Sequence, residues 1–536
     1  MRKPFRGRAV PASGAPSMGT MSGTLISAAV ATELHRGLSS TGGERAPVLA
    51  PFTGELLHEL PLSTVDDVAD AAARARLAQL GWQQAGFAHR RAVLLRAHDL
   101  MKQRRELLLD TVQSETGKTR GQAFEEVFQA LSATRYYAVS SRRVLRTRRR
   151  RAGIPLVIQT RVDYRPKGLV GVITPWNFPL SLSIMDVVPA LASGNAVIQK
   201  ADHQGALTIL ASRRAFIDAG VPEELWAVVT GEGATIGTAM NDACDYVCFT
   251  GSTATGRTVA ERAAAALRGA SLELGGKNPM IVLDDVNPRK AAYDAAYACF
   301  SALGQLCVSI ERIYVHRAVA DEFTREFVAR VGSLVQGPAF DYTTDLGSLT
   351  LASQLENVER QVQDALAKGA TLLAGGRRRP DLGPLFYEPT VLTDVTDEME
   401  CTRTETFGPV VAITVVDSEE EALLAANDSE FGLNASIFSG SRARARRLAR
   451  GIQAGSVNIN EGYRATFSSI DAPMGGVKQS GLGRRNGPEG LLRFADSQTV
   501  SETTGLLGLP RVGHEFATLT GVMVVLLAAL KLLRRR

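Results

Sequence analysis

Cysteine is scarce: the 536 residues hold five, Cys244, Cys248, Cys299, Cys307 and Cys401. So few thiols, so scattered, make no disulfide framework and point to a reducing, cytoplasmic compartment. Cys244 and Cys248 stand four apart with no second Cys/His cluster, so no zinc site is expected and no metal is assigned. Aromatics amount to 6%, and none is interleaved with the seven arginines of "RRVLRTRRRR", 142–151. A base-stacking platform is therefore absent, and nucleic acid is not expected as a partner. The arginine run reads as a solvated surface loop or as a contact for acidic lipid or an acidic partner. No long apolar core follows the basic start, so a secretory signal is not expected. Residues 1–45, rich in Gly, Ala, Ser and Pro, are expected to be disordered.

A long apolar run is missing until "FATLTGVMVVLLAALKLL", 516–533. It falls just short of the roughly 20 residues that span a bilayer. Three terminal arginines follow, so a shallow, in-plane anchor with Lys531 snorkelling fits better than a full span. The competing reading is a C-terminal helix packed on the body or on a partner.

What is present is an ordinary enzyme-like composition, 45% apolar and 22% charged, in a chain long enough for two or three cores. From about 166, β-branched runs such as "GLVGVITP", "AVIQK", "LWAVVTG" and "YVCFTG" alternate with amphipathic helical segments, the pattern of a parallel, doubly wound sheet. A second alternating block begins near 290 with "AAYDAAYACFSAL" and "RIYVH". The expected architecture is α/β, with two doubly wound domains. Residues 46–140 and 166–282 form the first, cofactor-binding unit and 283–483 the second, carrying the cysteine. A small β arm for oligomerisation draws on 141–165 and 484–503, and 504–536 is the membrane-associating segment.

Several motifs carry chemistry. "VVTGEGATIG" places Gly231, Gly233 and Gly237 between a strand and a helix, where bare backbone N–H groups approach phosphate. "CFTGSTATGR" offers Gly251 and Ser252 at a second such turn. "TPWNFP", 174–179, stiffens a loop with two prolines around Trp176 and Asn177; the amide is either a loop cap or a fixed donor for an oxyanion. "LELGGKNP", 272–279, sets Glu273 among apolar residues and glycines, where a lone carboxyl gains a raised pKa suited to a general base, or is a satisfied structural acid. Cys307, in "GQLCVSIER", then has a candidate companion for each step of carbonyl chemistry.

These motifs, with "ETFGP" at 405–409 and "PMGGVKQSGLGR" at 473–484, occur in the order of the NAD(P)-dependent aldehyde dehydrogenase superfamily, which residues 47–503 resemble. Within it, "GQLCVSIER" is most similar to the actinobacterial succinate-semialdehyde dehydrogenase group, NADP type, number two. The resemblance implies that Cys307 attacks the aldehyde, that Asn177 and the Cys307 N–H hold the oxyanion, and that Glu273 activates the hydrolytic water. It also implies cofactor contacts at Trp176, Lys200, Gly251, Ser252, Leu274, Glu405 and Phe407, beside Gly231 from the glycine turn. Relatives that prefer NAD often carry a glutamate three residues after the lysine; here "KADHQ" places His203, so NADP is expected to be accepted and favoured over NAD. Ser301 and Met185 stand where succinate-semialdehyde enzymes carry arginines, and Arg485 stands where the family usually has glutamate. The substrate is expected to be succinate semialdehyde or, with an apolar tunnel, a longer aliphatic aldehyde, and the chain is expected to be a homodimer or homotetramer. Two rivals remain: aldehyde oxidation that releases the acyl group to CoA, and a catalytically inactive membrane scaffold.

Overall fold

The structure is a computed structural model that describes residues 24–154, 157–506 and 508–532. Two sheets organise it. The first has six strands in the order Gly481–Leu482, Gly269–Glu273, Tyr246–Thr250, Leu169–Thr174, Ala196–Ala201 and Trp226–Val229. Its five long strands run parallel and the short edge strand is antiparallel. Strand order reverses around Leu169–Thr174, so the crevice beyond the carboxyl ends of these strands is the natural ligand site of such a sheet. "TPWNFP" opens at that point, on Thr174.

The second sheet has seven strands, in the order Thr371–Ala374, Thr390–Thr393, Val410–Val416, Ile310–His316, Asn278–Val282, Asn434–Phe438 and Ser456–Ile459. Asn278–Val282, read from the sequence as part of the first unit, pairs here with Ile310–His316 and Asn434–Phe438. Glu273 therefore ends a strand of one sheet and, five residues later, the chain enters the other. A third, antiparallel sheet joins Ala495–Thr503, Ile158–Pro166 and Arg148–Arg150. Residues 484–492, assigned to the arm from sequence, instead hold the helix Gly487–Leu492, which packs on Arg120–Leu145 and Pro179–Ser193.

The helices stop and start where the sequence dictates. Thr64 and Thr119 each make a capping box that satisfies exposed N–H groups of the first turn. Gly194, at φ 97°, closes the helix Pro179–Ser193, whose fifteen residues are all buried. The expected disorder of residues 1–45 is corrected from residue 24 onward. Ala28–His35 is a helix capped by Ser27, Ile26, Ala31 and Leu34 are buried in the main core, and Leu38 bridges to Val228. A few well-placed apolar residues outweigh the low-complexity composition around them. Residues 1–23 lie outside the described residues.

At the other end, Gly513–Leu532 is, among the described residues, the one helix long and apolar enough to cross a membrane, and none of its apolar window is buried.

Candidate active site

Cys307 is presented by a strained turn. The helix Pro288–Phe300 ends, and Ala302, Leu303 and Gly304 all take positive φ, at 50°, 54° and 74°. For alanine and leucine this costs on the order of 1–3 kcal/mol each. A Cβ on Gly304 would stand 2.0 Å from the Gly408 carbonyl oxygen, so only glycine lets the "ETFGP" loop close over this turn.

Three motifs converge on the cysteine. The Asn177 side-chain N–H donates to the Gln305 carbonyl oxygen at 3.0 Å, which brings the "TPWNFP" amide beside the turn. The Asn278 side chain donates to the Cys307 carbonyl oxygen at 2.8 Å. A Cβ on Gly276 would stand 2.8 Å from that same oxygen, so the paired glycines of "LELGGKNP" are there for close approach. Cys307 is half-buried, while Cys244, Cys248, Cys299 and Cys401 are buried free thiols. Burial pushes the Cys307 thiol up to about 12, with the Glu273 and Glu405 carboxylates adding to the rise. At neutral pH it rests protonated and needs a base to become a nucleophile.

Glu273 is buried at the end of its strand, and its Oε1 has no hydrogen-bond partner. Burial raises its pKa to about 7, with Arg485 and Arg493 pulling the other way. A carboxyl poised near neutrality can take up and release a proton at the operating pH. The position of a Cβ on Gly475 lies 3.0 Å from this Oε1, so the "PMGG" loop covers the acid with bare backbone.

A cavity of about 770 Å³ opens at the carboxyl ends of the first sheet, lined by Trp176, Lys200, His203, Gly231 and Gly251 among others. Ser252 flanks it as the N-cap of Thr253–Ala265, its hydroxyl accepting from the Thr255 N–H. Leu274 packs against Gly256, whose Cβ position is 2.4 Å from it. Phe407 meets Trp176 edge to face at 5.7 Å. Glu405 accepts from the Gly276 N–H at 2.8 Å, and burial lifts its pKa to about 8. Trp176, Lys200, His203, Gly231 and Gly251 thus share one cavity wall. Ser252, Leu274 and Phe407 lie next to it rather than on it, and Glu405 is not on its wall.

These residues fit a dinucleotide. The buried Nε2 of His203 has no hydrogen-bond partner, Lys200 is buried beside it, and a Cβ on Gly233 would meet nothing within 4 Å. That combination offers a donor set for hydroxyls or phosphate and room for backbone approach.

A second cavity, of about 540 Å³, is lined by Phe124, Glu125, Phe128, Gln129, Tyr297, Arg464 and Phe467 among others. Tyr297 and Phe467 pack on the same apolar cluster as Cys307. Glu125 accepts from the Tyr297 hydroxyl at 2.5 Å and from Tyr463 at 2.9 Å, and the Tyr463 hydroxyl also pairs with Ser301 at 2.8 Å. Arg464 lies 4.2 Å over the Tyr297 ring and bonds Glu461 through Nε at 2.9 Å. Met185, the other place where an arginine was expected, is buried against Gln129.

Some supporting residues were not visible in the sequence. Glu311 pairs with Lys277 at 2.5 Å and accepts from the N–H groups of Thr406 and Phe407, both at 2.9 Å. It ties "LELGGKNP" to "ETFGP". Glu126 pairs with buried Lys118 and accepts from the Leu180 N–H at 3.0 Å and the Ser181 N–H at 3.2 Å, fixing the helix that follows Asn177. Asp186 holds both Arg485 and Arg493. The only sequence signal for these groups is a charge at a position that helical or strand periodicity assigns to the interior.

Comparison with known proteins agrees with this geometry. The model of the aldehyde dehydrogenase family matches residues 38–500. A Mycolicibacterium smegmatis protein named "Putative succinate-semialdehyde dehydrogenase NADP(+)" is 51% identical over 463 residues, 86% of this chain and 89% of the relative. A Mycobacterium tuberculosis protein of the same name, numbered 2, is 49% identical over 450 residues, 84% of this chain and 87% of its own. Among solved structures, a Staphylococcus aureus betaine aldehyde dehydrogenase in complex with NAD+ superimposes with a TM-score of 0.84 at 29% identity, covering 90% of this chain and 99% of its own. An Escherichia coli NADP-dependent enzyme does so with 0.83 at 31% identity, covering 87% and 96%.

Proposed function

The chain belongs to the aldehyde dehydrogenase family, and from that premise we propose how its own residues oxidise an aldehyde to a carboxylic acid with NAD or NADP. The Glu273 carboxylate takes the Cys307 proton and passes it to solvent, and Sγ adds to the carbonyl carbon. The oxyanion accepts from the Asn177 side chain and the Cys307 N–H, donors fixed before charge develops. NAD(P), when bound, supplies the acceptor for the hydride that the adduct gives up. The acyl group then left on Cys307 as a thioester is attacked by a water that Glu273 deprotonates. The acid departs and the Cys307 thiol returns. Lys200 and Glu405 would hold ribose hydroxyls of the cofactor and Ser252 a phosphate, with Trp176, His203, Gly231, Gly251, Leu274 and Phe407 as its further contacts. His203 in place of an acid, together with the NADP in the relatives' names, favours NADP.

The convergence of Asn177, Gly276 and Asn278 on the Cys307 turn carries this reading. Product analysis with and without CoA tests it. Free acid should form at the same rate in both, since a buried, unpartnered Glu273 serves water activation. Accumulation of acyl-CoA, or free acid formed equally by Cys307→Ala, refutes it and favours in turn the CoA-acylating or the scaffold alternative.

For the substrate, the acid end of succinate semialdehyde, the aldehyde in the relatives' names, needs a cation. Arg464 supplies one in the second cavity, which Glu125 also lines: its Nε donates to Glu461, its guanidinium carbon lies over the Tyr297 ring, and its terminal nitrogens are left to a carboxylate. It serves where Ser301 and Met185 do not.

A second feature supports attachment to an anionic membrane face in the cytoplasm. Gly513–Leu532 is apolar and unburied, and it follows shortly after the strand Ala495–Thr503. In that sheet Arg150 pairs with Thr160 and Thr160 with Ser501, so the exposed Arg148–Arg150 edge lies at the end of the sheet from which the chain leaves toward this helix.

A further inference from the structure

Glu273 shares its side of the strand with a buried charge cluster. Arg485 and Asp186 are 2% and 1% exposed and form a two-point pair, Nε to Oδ1 at 2.9 Å and Nη2 to Oδ2 at 2.6 Å. Arg493 reaches the same carboxylate, Nη2 to Oδ1 at 2.5 Å. Both arginines also grip the strands that carry the acid. Arg485 donates to the Thr250 hydroxyl, and Thr250 is the residue paired with Glu273 across the sheet. Arg493 donates to the Ser271 hydroxyl at 2.8 Å, and Ser271 lies two residues before Glu273, hence on the same face of its strand. The backbone of Arg485 further pairs with Met474 in both directions, at 2.8 and 2.6 Å, which seats the adjoining Gly475 over the Glu273 carboxyl. Two guanidiniums against one carboxylate leave an excess positive charge in a buried cluster, and the Glu273 carboxyl, whose Oε1 has no partner, is there to meet it.

We propose that Asp186, Arg485 and Arg493 are positioning residues for Glu273: they hold its strand and its covering loop, and they supply the field in which its carboxyl ionises. The proposal rests on the reading of Glu273 as the base. The charged and titratable groups around that acid are Arg484 and Arg485 from the covering segment, Arg493 beyond the helix Gly487–Leu492, Asp186 from Pro179–Ser193, and Cys307 from the cysteine turn, which Glu405 also faces. Asp186 and the arginines act on Glu273 with opposite sign. A buried cation within reach of a carboxylate moves its pKa by about 1–3 units, so the variants separate a field from a scaffold.

The experiment is the pH profile of kcat for the full-length enzyme with propanal, read at the acidic limb. R485Q and R493Q remove positive charge and should move the limb up, by about one pH unit, which is about a tenfold loss of rate below it. D186N removes negative charge and should move the limb down. R485K keeps the charge and should hold the limb near its original place. A structural role alone would shift nothing or would lower activity at every pH. Thermal melts identify a variant that fails to fold, and R485Q and R493Q back each other up. If R485Q or R493Q and D186N leave the limb within 0.2 units, or move it the same way, the proposal is overturned. E273Q separates the two layers. If E273Q keeps turnover, the base reading falls and takes this one with it; if E273Q loses turnover while the cluster variants keep the original limb, only the cluster falls.

Discussion

Glu311 is the point at which the account can be pressed hardest on stability. Its carboxylate is 4% exposed and has three partners: Lys277 Nζ at 2.5 Å, and the N–H groups of Thr406 and Phe407. Glu311→Ala leaves a buried ammonium without a counter-charge and two buried N–H groups without an acceptor. Removing one partner of a buried ion pair costs about 3–5 kcal/mol, of which the stranded charge is the larger part. For a domain of this size each kcal/mol is roughly 2–4 °C, so the melting temperature should fall by about 10 °C. The loss should also reach function, because Phe407 then no longer braces Trp176; KM for NADP should rise more than kcat falls. Combining K277M with E311M removes both charges in shapes that pack, and should recover at least half the lost stability, since no unpaired ion remains. Differential scanning fluorimetry on the two single variants and the double decides it. A loss below about 2 °C for E311A, or a double variant as unstable as the sum of the singles, refutes the reasoning.

Arg464→Gln should raise KM for succinate semialdehyde by roughly 10- to 100-fold, the worth of a charge-assisted pair of about 1.5–3 kcal/mol, while hexanal kinetics stay within twofold. Equal losses on both substrates would remove Arg464 from substrate recognition. The kcat profile should rise with pH through about 7 and then level, because Glu273 acts as its carboxylate and its raised pKa leaves it protonated below that point; a limb near pH 4.5 would place the base elsewhere. Deleting residues 513–536 should leave kcat in solution unchanged and abolish co-sedimentation with phosphatidylserine vesicles. Full-length protein that ignores such vesicles contradicts the anchor.

The two α/β units were legible because buried parallel strands are continuous β-branched runs, and the convergence of motifs on the Cys307 turn because each motif is local in sequence. The limits fell where pairing is non-local. Asn278–Val282 looks like the continuation of the segment before it, yet its partners are strands at 310–316 and 434–438, which no local pattern specifies. Ile26, Ala31 and Leu34 were hidden in a Gly- and Ser-rich start because three contacts with a distant core suffice to order a short helix. Glu126, Asp186 and Glu311 read as surface charges or errors of periodicity until their partners, up to 307 residues away, are brought beside them. The departure at Arg485 was visible as an odd residue. Its meaning was not, because Asp186 and Arg493 lie on other elements.

The central claim is that Cys307 carries the acyl group and Glu273 releases it. Intact-mass and peptide analysis of Glu273→Gln, quenched after mixing with propanal and NADP, tests this most directly. One propionyl adduct per chain is expected on the Cys307 peptide, formed with a single burst of NADPH, and none in Cys307→Ala. Sustained turnover by Glu273→Gln without an adduct, or an adduct on another residue, would contradict it.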